Sequence, residues 1–171
     1  QAGILTAKNI IDASNAQRNT RIGTNAGNSF DGTTATDNTL IGYDAGTAIT
    51  TGDKNVAVGS YALDANTTAS YNIAVGYNAL GATTTGGINV AVGDEAMKLN
   101  TTGVENVAVG SYALDANTTA SQNTAVGAYG LSANTTGTAN VAVGYKALKD
   151  NTTTSNNTAI GWNALEANTA S

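Results

Sequence analysis

The chain of 171 residues contains no histidine and no cysteine. It therefore has no thiol nucleophile, no disulfide, no Ser-His-Asp triad and no zinc site of the usual ligands. The lack of Cys is silent on redox compartment but suits an extracellular protein built without staples. Large apolar side chains are scarce: Leu, Ile, Val and Phe supply 30 of the 171 residues, below the roughly 20% at which disorder becomes a live reading. Charge is scarce as well. With 7 basic and 12 acidic residues, the net charge of −5 is too small for a self-repelling disordered chain and the basic residues are too few for a nucleic-acid footprint. No run approaches 18 apolar residues, so no membrane insertion is expected. The opening QAGILTAKNII lacks the charged and apolar blocks of a signal peptide.

What is abundant is Ala, Thr, Asn and Gly, together 101 of 171 residues, and they are arranged in a repeat. Asn-x-Ala-Val-Gly or a near variant begins at residues 55, 72, 89, 106, 123, 140 and 157, each 17 after the last, with earlier copies at 38 and 19. The step from 19 to 38 carries a two-residue insertion. Residues 19–171 thus form a repeat domain of nine copies, the ninth cut short at Ser171, and residues 1–18 are a cap or linker.

Numbering columns from that Asn, column 1 is Asn throughout, including Asn55, Asn72, Asn89, Asn106, Asn123 and Asn140. Column 4 is Val or Ile: Val58, Val75, Val92, Val109, Val126 and Val143 in the same copies. Column 5 is Gly: Gly59, Gly76, Gly93, Gly110, Gly127 and Gly144. Column 8 is Ala or Gly, column 9 is Leu or Met from Leu63 on, and columns 12–14 read Asn-Thr-Thr or close to it. A run such as Val56-Ala57-Val58 is β-branched and too short for a helix, so it predicts a strand. Gly at column 5 predicts a turn with positive φ or a close backbone approach. Tyr61–Ala65 is expected to form a second strand, and Asn-Thr-Thr the second turn. Two strands and two turns in 17 residues make one coil of an all-β parallel β-solenoid, with equivalent residues stacked as ladders about 4.8 Å apart.

Alternation places columns 2 and 4 on one strand face and the column 3 Ala on the other. The expectation is that columns 2, 4 and 9 fill the core and that the Ala face, columns 3 and 8, points outward. Three large apolar side chains per coil are few against the entropy of ordering 17 residues. The flat Ala face is therefore expected to be buried between copies of an obligate homo-oligomer with cyclic symmetry.

The Asn-[Val/Thr]-Ala-[Val/Ile]-Gly motif, the following Ala-Leu and the Asn-Thr-Thr corner resemble the head repeats of trimeric autotransporter adhesins (YadA-like). They are still more similar to the 17-residue repeats of bacteriophage tail fibres. The resemblance covers residues 19–171, although adhesin heads usually have shorter repeats. It implies a left-handed β-roll, a parallel homotrimer, and a role as a structural or attachment segment on a virion or cell surface. The alternatives are the head of a bacterial surface adhesin and an ice-binding solenoid. The partners expected are the chain itself and a host-surface glycan or protein.

Candidate site residues are few. Tyr112 and Tyr129 fall in column 7 of adjacent coils, Tyr145 and Trp162 in column 6, and such stacks offer a platform for sugar rings or pack as plain ladders. In column 10, Lys98 precedes Asp115, and Lys149 precedes Glu166, by one coil, which predicts opposite charges on neighbouring rungs. Asp64 and Asp115 stand three coils apart, too far for a catalytic pair, and no enzymatic residues, metal site or cofactor are expected. Asp31 and Asp37 bracket the insertion, as a polar loop or a surface cation site. Asn66, Asn100, Asn117, Asn134 and Asn151 match the N-glycosylation acceptor pattern, but an Asn ladder at a solenoid corner explains them as well. The threonines are adjacent, as in Thr118-Thr119, where ice-binding arrays resemble Thr-x-Thr; in a strand these two would face opposite ways.

Overall fold

A computed structural model describes residues 17–30 and 34–168. Among them are nine three-residue strands: β1 (Thr20–Ile22), β2 (Thr39–Ile41), β3 (Val56–Val58), β4 (Ile73–Val75), β5 (Val90–Val92), β6 (Val107–Val109), β7 (Thr124–Val126), β8 (Val141–Val143) and β9 (Thr158–Ile160). They form one parallel sheet in sequence order. The fold is an all-β solenoid of about eight turns, and at the usual strand spacing it is roughly 40 Å long. Register follows the repeat: Val58 lies beside Val75, and Val75 beside Val92.

The opposite wall is not a second strand. After Gly59 the chain makes two successive turns, closed by the Ala62 amide on the Gly59 carbonyl (3.3 Å) and the Asn66 amide on the Leu63 carbonyl (3.2 Å). Tyr61 and Leu63 adopt φ of 61° and 53°, outside the extended region. This geometry turns two sequence neighbours, Ala62 and Leu63, into the interior together, and both are fully buried. An extended strand would send them to opposite faces. The turns are still bonded coil to coil, the Leu63 amide donating to the Ala79 carbonyl (3.1 Å) and the Ala65 amide to the Gly81 carbonyl (3.1 Å).

The expected facing of the sheet is reversed. Column 3 and column 8 alanines, such as Ala57, Ala62, Ala91 and Ala96, are the buried core, together with the column 9 leucines. The column 2 and 4 residues point outward and remain partly exposed: Ile73 at 40% and Val109 at 36%. The cause is width. Column 9 points into the same narrow interior as column 3, and the two columns share one volume. In the second coil, column 3 is Leu40 and column 9 is Gly46, where an added Cβ would stand 2.9 Å from Leu40 Cδ2. In the first coil, Arg21 faces Gly27, where a Cβ would stand 2.8 Å from Arg21 Cδ. From the third coil on, Ala at column 3 meets Leu or Met at column 9. Between columns 3 and 9 each coil thus holds one long side chain and one small residue, as close packing at constant volume requires.

Column 17 repeats a left-handed residue: Lys54, Tyr71, Ile88, Glu105, Gln122, Ala139 and Asn156 have φ from 55° to 63°. That conformation costs a non-glycine residue about 1–2 kcal/mol. Ala139 has no longer side chain to lose, so Ala139→Gly relieves the strain against a glycine entropy cost of about 0.4–1 kcal/mol. The expected result is a rise in urea midpoint equivalent to about 0.5–1 kcal/mol, the reverse of the usual Ala→Gly effect in regular structure.

Two asparagine ladders close the corners. At column 1, the Asn55 amide nitrogen and Nδ2 both donate to Asn38 Oδ1 (2.9 and 3.1 Å), and Nδ2 also donates to the Ala69 carbonyl (2.9 Å). The same pattern recurs at Asn89, Asn106, Asn123 and Asn140. At column 12, Asn117 Nδ2 donates to Asn100 Oδ1 (2.9 Å), Asn134 to Asn117 (3.3 Å) and Asn151 to Asn134 (3.2 Å). Asn66, Asn100, Asn117, Asn134 and Asn151 are fully buried, so their amides are not presented for glycosylation in the folded chain.

Candidate functional site

The column 5 glycines, with φ from 128° to 144°, swing the chain out of the sheet and onto a corner formed by columns 6 and 7. Every coil from the second to the ninth except the fifth carries one aromatic ring there: Tyr43, Tyr61, Tyr77, Tyr112, Tyr129, Tyr145 and Trp162. Only two of the chain's nine aromatic residues, Phe30 and Tyr71, lie elsewhere, so the aromatics are concentrated on one ridge along the rod.

The rings form two trios. Tyr61 meets Tyr43 edge-on at 5.5 Å between centroids and Tyr77 at 5.9 Å. Tyr112 and Tyr129 stack at 5.2 Å with planes 5° apart, and Tyr145 meets Tyr129 edge-on at 6.2 Å. Such contacts contribute about 0.5–1.5 kcal/mol each beyond the area they bury. The rings remain open to solvent: Tyr43 is 47% exposed, Tyr77 51% and Tyr145 41%. Of the four rings singled out in the sequence, three are therefore joined; Trp162 is 74% exposed and makes no ring contact with Tyr145. The Tyr43–Tyr61–Tyr77 trio went unseen in the sequence because it alternates between columns 6, 7 and 6. Treating the two columns as a single corner reveals it.

The fifth coil interrupts the ridge with Asp94 and Glu95. Glu95 takes a bond from Lys98 Nζ (2.9 Å), whereas Asp94 is exposed and, among the described residues, makes no hydrogen bond through its carboxylate. The two carboxylates, Glu95 foremost, push the Tyr112 phenol above its ordinary pKa. Partial burial, with smaller contributions from Tyr43 and Asp44, does the same to Tyr61. Lys146 Nζ sits 5.2 Å from the Tyr145 ring centroid, a cation–π distance.

The other charges take partners differently from the column 10 expectation. Lys98 pairs with Glu95 rather than Asp115, Lys149 with Asp150 (3.1 Å) rather than Glu166, and Glu166 with Lys146 (3.9 Å). Two of these pairs lie within one coil, and the third crosses to the next rung on a different column. Asp64 and Asp115 are not brought together. Burial raises both pKa values, and Asp115 Oδ1 is buried without a hydrogen-bond partner. Asp37 takes two bonds from Arg18, at 2.6 and 2.7 Å, while Asp31 lies outside the described residues. Among the described residues no group of three acidic side chains is gathered to hold a metal ion.

On the Asn-Thr-Thr corner the column 13 hydroxyls donate along the rod, Thr67 to the Thr84 carbonyl (3.3 Å) and Thr101 to the Thr118 carbonyl (3.0 Å). Column 14 is left as a single exposed file of threonines, such as Thr68, Thr102 and Thr119. No family model matches the chain, and comparison with curated proteins and with solved structures finds no match.

Proposed function

We propose that the chain is a non-enzymatic segment of a homotrimeric attachment fibre, most closely akin to a phage tail fibre, that gives mechanical reach and meets a host cell surface. The observation that carries this reading is the outward file of Val and Ile at column 4, flanked at column 2 by Val or Ile in five coils and Thr in four. It runs the length of the sheet in register, and Ile73, Val109 and Val126 are each more than a third exposed among the described residues. A monomer rarely leaves so long an apolar strip in water. Copies arranged side by side around an axis parallel to the rod bring each rung of the strip against its own equivalent. That closes the contact and prevents open-ended growth. The count of three rests on the resemblance to tail-fibre and adhesin-head repeats. The assembly surface is thus the valine file rather than the alanine face, which is spent on the interior. Ladder hydrogen bonds and a surface poor in free charge suit a passive, stiff spacer. The ice-binding alternative loses support, because column 13 hydroxyls are engaged within the chain and a two-file threonine face is not presented.

Light scattering tests the assembly. The expected molar mass is three times the 17.0 kDa of one chain. Val92→Asp combined with Val109→Asp places charge mid-strip and is expected to reduce the mass to one chain or abolish folding. A folded wild-type monomer contradicts the reading.

A further inference from the structure

We propose that the aromatic ridge is a binding track for an elongated neutral glycan lying along the rod axis. The inference gives the attachment reading its partner and rests on that reading only for the segment's role.

Four features of the corner select this ligand. The rings recur coil after coil along one corner, with centroids 5.2 to 6.2 Å apart within each trio, which suits a polymer running parallel to the rod better than a compact molecule. All of them are Tyr or Trp, none is Phe, and no Leu or Ile stands at columns 6 or 7. An apolar body with a polar handle matches a partner whose faces are C–H and whose edges are hydroxyl, as a sugar ring is. The rings lie on the outer corner with Tyr77 and Tyr145 about half exposed, whereas the valine file, the strip suited to chain–chain contact, lies on the sheet face across the column 5 glycines. Between the two trios the Asp94 carboxylate is exposed and, among the described residues, has no hydrogen-bond partner, so it is placed to accept from sugar hydroxyls. The same carboxylate, with Glu95 beside it, repels an anionic chain. A neutral polysaccharide satisfies all four features; a sulfated or carboxylated one fails the last.

The test is a glycan array of oligosaccharides, neutral and anionic and of graded length, probed with the whole chain, followed by titration of the best binder. The expected result is binding to at least one neutral oligosaccharide, with affinity rising with length across several sugars. Tyr129→Ala with Tyr145→Ala is expected to weaken it at least tenfold and Asp94→Ala several-fold, while Tyr71→Ala, an exposed ring off the ridge, leaves it unchanged. Light scattering on each variant separates this outcome from failure of the assembly reading. Variants that keep the wild-type mass and lose the sugar support the track. An absence of neutral binders, a preference for anionic glycans, or binding indifferent to the ridge variants overturns it. So does a ridge variant that dissociates, since its rings then serve packing between chains.

Discussion

Gly93→Ala is expected to destabilise the rod by at least about 3 kcal/mol, or to prevent folding, read as a loss of urea midpoint by circular dichroism at fixed chain concentration. Two effects add. The residue has φ of 142°, which an L side chain adopts only under strain, and a Cβ there would stand 2.6 Å from the Gly110 carbonyl carbon and oxygen and 2.9 Å from the Ser111 nitrogen. These are backbone atoms of the next rung and have no rotamer to change. The same approach recurs at Gly59, Gly76 and Gly110, so backbone packs against backbone along the whole column. Gly161 supplies the control. Its φ is 128°, but the nearest atom to an added Cβ is Ala164 Cβ at 3.9 Å. Gly161→Ala should therefore show the backbone strain alone, about 1–3 kcal/mol. The difference between the two variants isolates the cost of the rung-to-rung clash.

The second large effect is expected at Asn89, in the middle of the column 1 ladder. Its Oδ1 accepts from the Asn106 amide (3.0 Å) and Asn106 Nδ2 (3.2 Å), and its Nδ2 donates to the Gly103 carbonyl (2.9 Å). Asn89→Ala leaves the buried Asn106 amide without an acceptor, which together with the lost bonds should cost about 2–4 kcal/mol. Asn89→Asp keeps the shape and the acceptor but turns a carboxylate toward the Gly103 carbonyl. Burial would raise that carboxyl's folded pKa above its unfolded value of about 3.9. The penalty is then full above the folded pKa and vanishes as pH falls below the unfolded one. Relative to wild type, Asn89→Asp should recover stability between pH 7 and pH 4, while the deficit of Asn89→Ala stays flat.

The 17-residue period, the parallel register and the asparagine corners are all readable from the sequence, because each depends on one residue type recurring at one spacing. Which face of the strand points inward is not readable from alternation, which separates Val56 and Val58 from Ala57 without ranking the two sets. The usual preference for burying the larger apolar residue misleads here, since columns 3 and 9 together have room for only one long side chain. The sequence does contain the correcting signal: column 9 is Gly in the two coils where column 3 is Arg21 or Leu40, and Leu or Met where column 3 is Ala. Two columns that trade volume must touch. The turns at Tyr61–Ala65 were hidden for another reason. Left-handed Tyr61 and Leu63 have no glycine to mark them, and only the bonds to neighbouring coils hold them in place. On the ridge, pairing residues by identical column exposes Tyr112 beside Tyr129 but misses Tyr43, Tyr61 and Tyr77, whose rings meet across two columns.

The stacking of equivalent residues is tested most directly by a cysteine pair, which the cysteine-free chain accepts without background. Thr102 and Thr119 occupy column 14 of adjacent coils, on the corner away from the valine file. At about 4.8 Å between rungs their Cα atoms fall within the 4.4–6.8 Å span of a disulfide. Thr102→Cys with Thr119→Cys should oxidise to an intramolecular bond in nearly all chains, read by mass spectrometry. Thr102→Cys with Thr136→Cys, two rungs apart, should not. Equal oxidation of both pairs, or of neither, would contradict a rod built from in-register 17-residue rungs.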